Sequence, residues 1–160
     1  MIWLQSTLFF INLMLLHEAG HVLSAKIMGI PVQEIGFTMK PYPHLYVSID
    51  WPHKKKQKYF YLFAGMMITL SVFIISYFND FWGIQALLYA LIFQVIIETN
   101  PFHSDVVIAI ITNKKAFKEA NFSSFKSVYK KELDDFHYSS YWYLHFMIWL
   151  VLIVLLLRLN

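Results

Sequence analysis

Three residues within one five-residue stretch, His17, Glu18 and His21, have the types and spacing to hold a metal ion and to use it. They belong to the run His17-Glu18-Ala19-Gly20-His21, inside a long apolar segment that its length and composition predict to be helical. Residues four apart share a helix face, so two imidazoles converge on one ion while Glu18 reaches a water bound to it. The chain has no cysteine, which leaves His, Asp and Glu as the available ligands. Zinc accepts such a set, lowers the pKa of its water to about 7, and so lets a carboxylate act as general base in a hydrolysis. The plainer alternative is a hydrogen-bonded pair of core histidines beside a paired Glu. Three ionisable side chains so close together inside an apolar span are costly unless they have a use.

A catalytic zinc site takes three protein ligands and keeps one position open. The third ligand is sought among Glu98, His103, Asp105 and His145. Pro101, in Asn100-Pro101-Phe102-His103-Ser104-Asp105, must break a helix, and the chain beyond a break can turn an acid inward. Glu98 is instead fixed by the helix face it occupies. Asp105 is the expected third ligand. His103 has three readings: a ligand, a support that orients Asp105, or a plain loop histidine. His145, among Tyr143, Phe146 and Trp149, reads as a residue of the interfacial aromatic belt.

The elements that must position these residues are those of a membrane protein. Hydrophobic residues make up 58% of the 160-residue chain and charged ones 14%, well below the roughly 25% of soluble domains. Four runs approach the roughly 20 apolar residues that span a bilayer: about Ile2 to Gly29, Tyr59 to Phe78, Phe81 to Asn100, and Tyr141 to Leu159. Between the first two, Ile35, Phe37 and Met39 alternate, as do Leu45, Val47, Ile49 and Trp51, on either side of Lys40-Pro41-Tyr42-Pro43. That is a β-hairpin pattern over 31–51. Phe122, Phe125, Tyr129, Leu133 and Phe136 recur at helical steps among lysines, which predicts a basic amphipathic helix lying on the membrane or packed on the protein's own loops. The expected fold is therefore an all-α polytopic membrane protein of about four spans, with a small membrane-associated hairpin. Segment 113–140 would be a basic cytoplasmic segment and 141–160 the fourth transmembrane helix.

Loops 31–58 and 113–140 carry five and six lysines, so the positive-inside rule puts both in the cytoplasm and both termini outside, in an integral protein of the cell membrane. The net charge is +3, most of the lysines sit in these loops, opposite anionic lipid, and nucleic acid is not an expected partner.

The His17–His21 motif in a first span, the hairpin after it, and Asn100-Pro101 shortly before Asp105 in a third together resemble the site-2 protease family of intramembrane zinc metalloproteases. The resemblance covers roughly residues 1–112 and implies that they form a three-helix catalytic core with the hairpin at 31–51. It implies that His17, His21 and Asp105 bind one zinc per chain, that Glu18 is the general base, that Asn100 helps to position substrate, and that a membrane-embedded peptide is cut within the bilayer. Ala64-Gly65 is similar to the start of a second family motif, which continues with Pro and Asn where this chain has Met66 and Thr69. Val106 follows Asp105 where the family usually has Gly. Two other functions fit the same residues: a membrane zincin of another lineage that uses Glu98, and a non-proteolytic metal-binding protein, a pseudoprotease or zinc-transport component, in which Glu18 is dispensable.

Overall fold

The computed structural model describes residues 1–39, 44–52, 54–81, 83–102, 104–113 and 122–158. The 40–43 turn and His103 lie outside these residues. The chain divides into two units, Met1–Gln94 and Val95–Asn160. The first holds α1 (Ile2–Ile27), β1 (Val32–Thr38), β2 (His44–Ile49), α2 (Lys55–Phe78) and most of α3 (Ile84–Glu98). The second holds the end of α3, α4 (Asp105–Ile111), α5 (Phe122–Phe136) and α6 (Ser140–Arg158).

Gly29 ends α1 as its position predicts. At φ +68° it adopts the left-handed backbone that glycine tolerates best, with Gly29 N–H donating to the Lys26 carbonyl and Ile30 N–H to that of Ala25. The second helix starts at Lys55, four residues before the expected Tyr59, because lysines are good helix formers and hold their charges at the end of an apolar span. The third is shorter than expected. It begins only at Ile84, after a turn in which Asp80 is left-handed (φ 48°), and ends at Glu98 ahead of Pro101. Its 15 residues cover about 22 Å, less than a bilayer core of about 30 Å.

By length and composition α1 and α2 can each cross a membrane, and Ser127–Phe136 with Ser140–Leu155 passes the same test as one span bent by 73°. Against an expectation of four spans, two or three thus meet the criterion among the described residues.

The burial pattern of α1 and α2 is inverted relative to a soluble helix pair. Large apolar residues such as Leu4, Leu8, Leu15, Leu23, Met67, Leu70 and Ile75 are exposed, while Ser6, His17, Gly20, His21, Ser24, Gly65 and Thr69 are buried. Small and polar residues at the helix contact and aliphatic ones outside are what a lipid solvent selects. Hydroxyls and amides in the helices bond to their own backbone one turn back, Ser6 to Ile2, Thr7 to Trp3, Asn12 to Leu8 and Ser71 to Met67, which leaves little for water to do.

β1 and β2 pair antiparallel, with Ile35 opposite Val47 and Phe37 opposite Leu45, so the expected hairpin forms with those residues on one face. In the second unit, Val107 and Ile111 of α4, Phe136 of α5 and Trp142 of α6 form a buried cluster. Val128, Tyr129 and Leu133 pack against it, so the Tyr129, Leu133 and Phe136 part of the α5 stripe is covered by the protein itself.

Candidate metal centre

The buried face of α1 runs through Leu13, His17, Gly20, His21 and Ser24, steps of three and four that trace one stripe along the helix. This stripe meets α2. Contact is close enough to require two glycines. A Cβ on Gly20 would lie 2.7 Å from the Ala64 carbonyl oxygen, and one on Gly65 would lie 2.5 Å from Cε1 and Nδ1 of the His17 ring. His17 therefore lies flat against the backbone of α2 at the one residue that leaves room for it.

His21 is oriented by that same helix. Its Nδ1 is 2.8 Å from the backbone carbonyl of Tyr61, a contact that requires the proton on Nδ1 and leaves Nε2 with its lone pair. Nε2 then faces His17 Nε2 at 3.0 Å, with the rings 77° apart. Two nitrogens bound tetrahedrally to one zinc at about 2.0–2.1 Å would stand roughly 3.3 Å apart. The tautomer of His21 suits a ligand, the 3.0 Å separation is near that of two bound imidazoles and is equally that of a hydrogen bond between the rings, and the carbonyl behind His21 is the kind of support such ligands normally have.

Glu18, one residue on from His17, is turned by about 100° around α1 and is half-buried at the edge of an open groove of about 460 Å³. Leu15, Val22 and Leu23 of α1 form one wall, Ile35, Leu45 and Val47 of the hairpin the other, and Lys26 lies farther along. The hairpin is tethered to α2 by the Tyr61 hydroxyl, which donates to the Val47 carbonyl at 2.7 Å. Tyr61 thus fixes His21 through its backbone and the groove wall through its side chain.

In the second unit, Asp105 is the first residue of α4. Ser104 caps that helix: its Oγ accepts from Val107 N–H and donates to the Asn100 carbonyl at 2.7 Å. Val106 lies within α4 and needs no left-handed backbone, so the absence of Gly after Asp105 costs nothing here. Asn100 spans the break itself, its Nδ2 donating to the Ile97 carbonyl and its Oδ1 accepting from Phe102 N–H at 3.0 Å. Glu98 is buried in the last turn of α3.

His145 is half-buried, with Nε2 3.0 Å from the Thr99 carbonyl, where α6 lies along the end of α3. Nothing in the sequence pointed to the Tyr61 carbonyl, and the fit between His17 and Gly65 left only a partial trace. The Ala64-Gly65 pair was the visible trace of the second.

No family model matches the chain, and no curated protein or solved structure does.

Proposed function

We propose that this chain is an intramembrane zinc metalloendopeptidase of the site-2 protease type, cutting a membrane-embedded peptide. The observation that carries the reading is the pair of buried Nε2 atoms at 3.0 Å on an apolar helix, one of them fixed in the ligand tautomer, with Glu18 beside them on a groove. In this reading Asp105 joins His17 and His21 as the third ligand of one ion, and Glu98 does not. A zinc bound there would polarise the scissile carbonyl and acidify a water. Glu18 would then serve as the general base toward such a water and return the proton to the leaving amine. The groove suits an extended apolar segment, since its walls are aliphatic and two strands of the hairpin offer backbone edges to which a peptide can add. A substrate helix must unwind first, because its own hydrogen bonds shield the carbonyl. Asn100 would help to hold that segment.

In the same reading the chain is a polytopic protein with α3 and α6 embedded as well as α1 and α2, the lysine-rich loops cytoplasmic and the termini outside. A cysteine at Asn79 should then react with an impermeant reagent in intact cells while one at Asp134 should not. The reverse pattern would invert the topology.

The decisive experiment measures zinc content and membrane-peptide cleavage together. Wild-type protein is expected to hold about one zinc per chain, His17→Ala, His21→Ala and Asp105→Asn to lose it, and Glu18→Gln to keep zinc while losing cleavage. Cleavage retained in Glu18→Gln removes the protease reading. Zinc retained in Asp105→Asn but lost in Glu98→Gln moves the chain to the other zincin lineage.

A further inference from the structure

The break at Pro101 leaves a run of carbonyls without helical donors, since the last turn of any helix has none and proline carries no N–H. In a chain surrounded by lipid, water does not replace them. Three of the carbonyls from Ile96 to Phe102 find their partners on one face of α6. Trp149 Nε1 donates to the Ile96 carbonyl at 2.9 Å, His145 Nε2 to that of Thr99 at 3.0 Å, and Trp142 Nε1 to that of Pro101 at 3.0 Å. The three donors stand at steps of three and four on the helix, and they meet their acceptors in reverse order, as antiparallel neighbours must. From the turn before α6, His137 Nε2 lies 3.2 Å from the Phe102 carbonyl. An indole N–H can only donate, so Trp142 and Trp149 are matched to carbonyls and to little else. Trp142 is also stacked on Phe146 at 5.2 Å and meets the Phe102 ring edge-on at 5.5 Å, which clamps the residue between the break and the capped turn of Ser104.

We propose that α6 is the positioning strap of the Asp105 turn: the N–H groups of Trp142, His145 and Trp149 take up the carbonyls freed at the break and thereby fix where Asp105 stands. The proposal rests on the metal reading for its functional meaning, and on the hydrogen bonds alone for its structural one. None of the three residues touches substrate or metal in it; they act through residues 96–102. Removing a donor while leaving an apolar side chain in its place should therefore loosen the turn and weaken the metal without unfolding the helices.

The test uses the full-length protein in nanodiscs, with Trp142→Phe, His145→Leu and His145→Gln, the last able to donate to Thr99 in place of the imidazole. Three readouts are taken: zinc affinity by competition with a chromophoric chelator, the d–d spectrum of the cobalt-substituted protein, and hydrogen exchange of the 102–108 amides. Trp142→Phe and His145→Leu should each bind zinc 10–100-fold more weakly, shift the cobalt bands and speed exchange, while His145→Gln restores all three toward wild type. Affinity within twofold of wild type and unchanged exchange in both donor-less variants overturns the strap. If His145→Gln fails as badly as His145→Leu, the role belongs to the imidazole and not to its hydrogen bond, and the strap is overturned at that position. Wild-type protein that binds no zinc sinks the metal reading instead, and the exchange data then decide the strap by themselves.

Discussion

In the first unit α1 meets α2 backbone to backbone at Gly20 and Gly65, whereas in the second the end of α3 is held by some of the largest side chains in the protein, Trp142 and Trp149. Both arrangements keep polar atoms dry in an apolar chain. The first does so by removing atoms until a histidine ring fits against a helix, the second by adding donors until stray carbonyls are paired. They should fail differently. The α1–α2 contact should tolerate no added atom, and the α6 contact should tolerate no lost N–H even when the ring that carried it is kept.

The largest effect is expected at Gly65. Gly65→Ala puts a methyl 2.5 Å from the His17 ring, which is trapped between two helices, so the ring must leave its place or the helices must part. Overpacking of this kind costs about 1–3 kcal/mol. Zinc affinity should fall at least 100-fold, read by the same chelator competition. Gly29→Ala is the control. It is strained by its left-handed φ of +68° at about 1–2 kcal/mol, but its Cβ would meet nothing within 4 Å. Equal stability loss with zinc binding intact is its expected outcome, and zinc loss there would mean that affinity merely follows stability.

A smaller effect separates the two services of Tyr61. Tyr61→Phe keeps the carbonyl that orients His21 and removes only the hydroxyl that ties Val47. Zinc affinity should stay within twofold, while β2 amides should exchange faster by the equivalent of about 1 kcal/mol, one net hydrogen bond. If zinc binding falls as well, groove wall and metal centre are one mechanical unit.

Most of the elements were legible because each rests on a periodicity. The His17–His21 motif, the hairpin alternation and the α5 stripe all follow from the two repeats that side chains obey. The start of α3 was not legible, since the apolar run begins at Phe81 whereas the helix begins only at Ile84, whose N–H donates to the Phe81 carbonyl at 2.9 Å. The strap was not legible either. Trp142, His145 and Trp149 are a plain aromatic face in sequence, and their acceptors lie on irregular backbone, which has no pattern to read. What Pro101 announced was only that some donor would be needed. Gly65 stood between these cases: a small residue in an apolar span marks a close approach, but nothing in the sequence named His17 as what approaches.

The smallest effect tests the crowding argument at a second glycine. Gly36 faces Tyr46 across the hairpin, and a Cβ there would lie 2.5 Å from the Tyr46 hydroxyl, the same nominal clash as at Gly65. The outcomes should nonetheless differ, because the end of the tyrosine can swing away from the hairpin and the trapped imidazole cannot. The cost should fall on one hydrogen bond, that from the Tyr46 hydroxyl to Glu34 Oε1 at 2.6 Å. This bond to Glu34, aided by partial burial and by the negative carboxylate itself, raises the Tyr46 pKa above its ordinary value of 10.0. A raised folded-state pKa means that the bond's contribution is complete below the ordinary tyrosine range and is lost as pH rises through the raised value. In a titration followed by the Cζ resonance of 13C-labelled tyrosine, Tyr46 should be among the last to ionise in the wild type. Glu34→Gln should lower its pKa by removing the charge, and Gly36→Ala should lower it by displacing the ring, with zinc affinity unchanged in both. A Gly36→Ala protein that keeps the high Tyr46 pKa would show that the hairpin gives way instead of the side chain, and the contrast with Gly65 would then rest on backbone stiffness and not on the freedom of the ring.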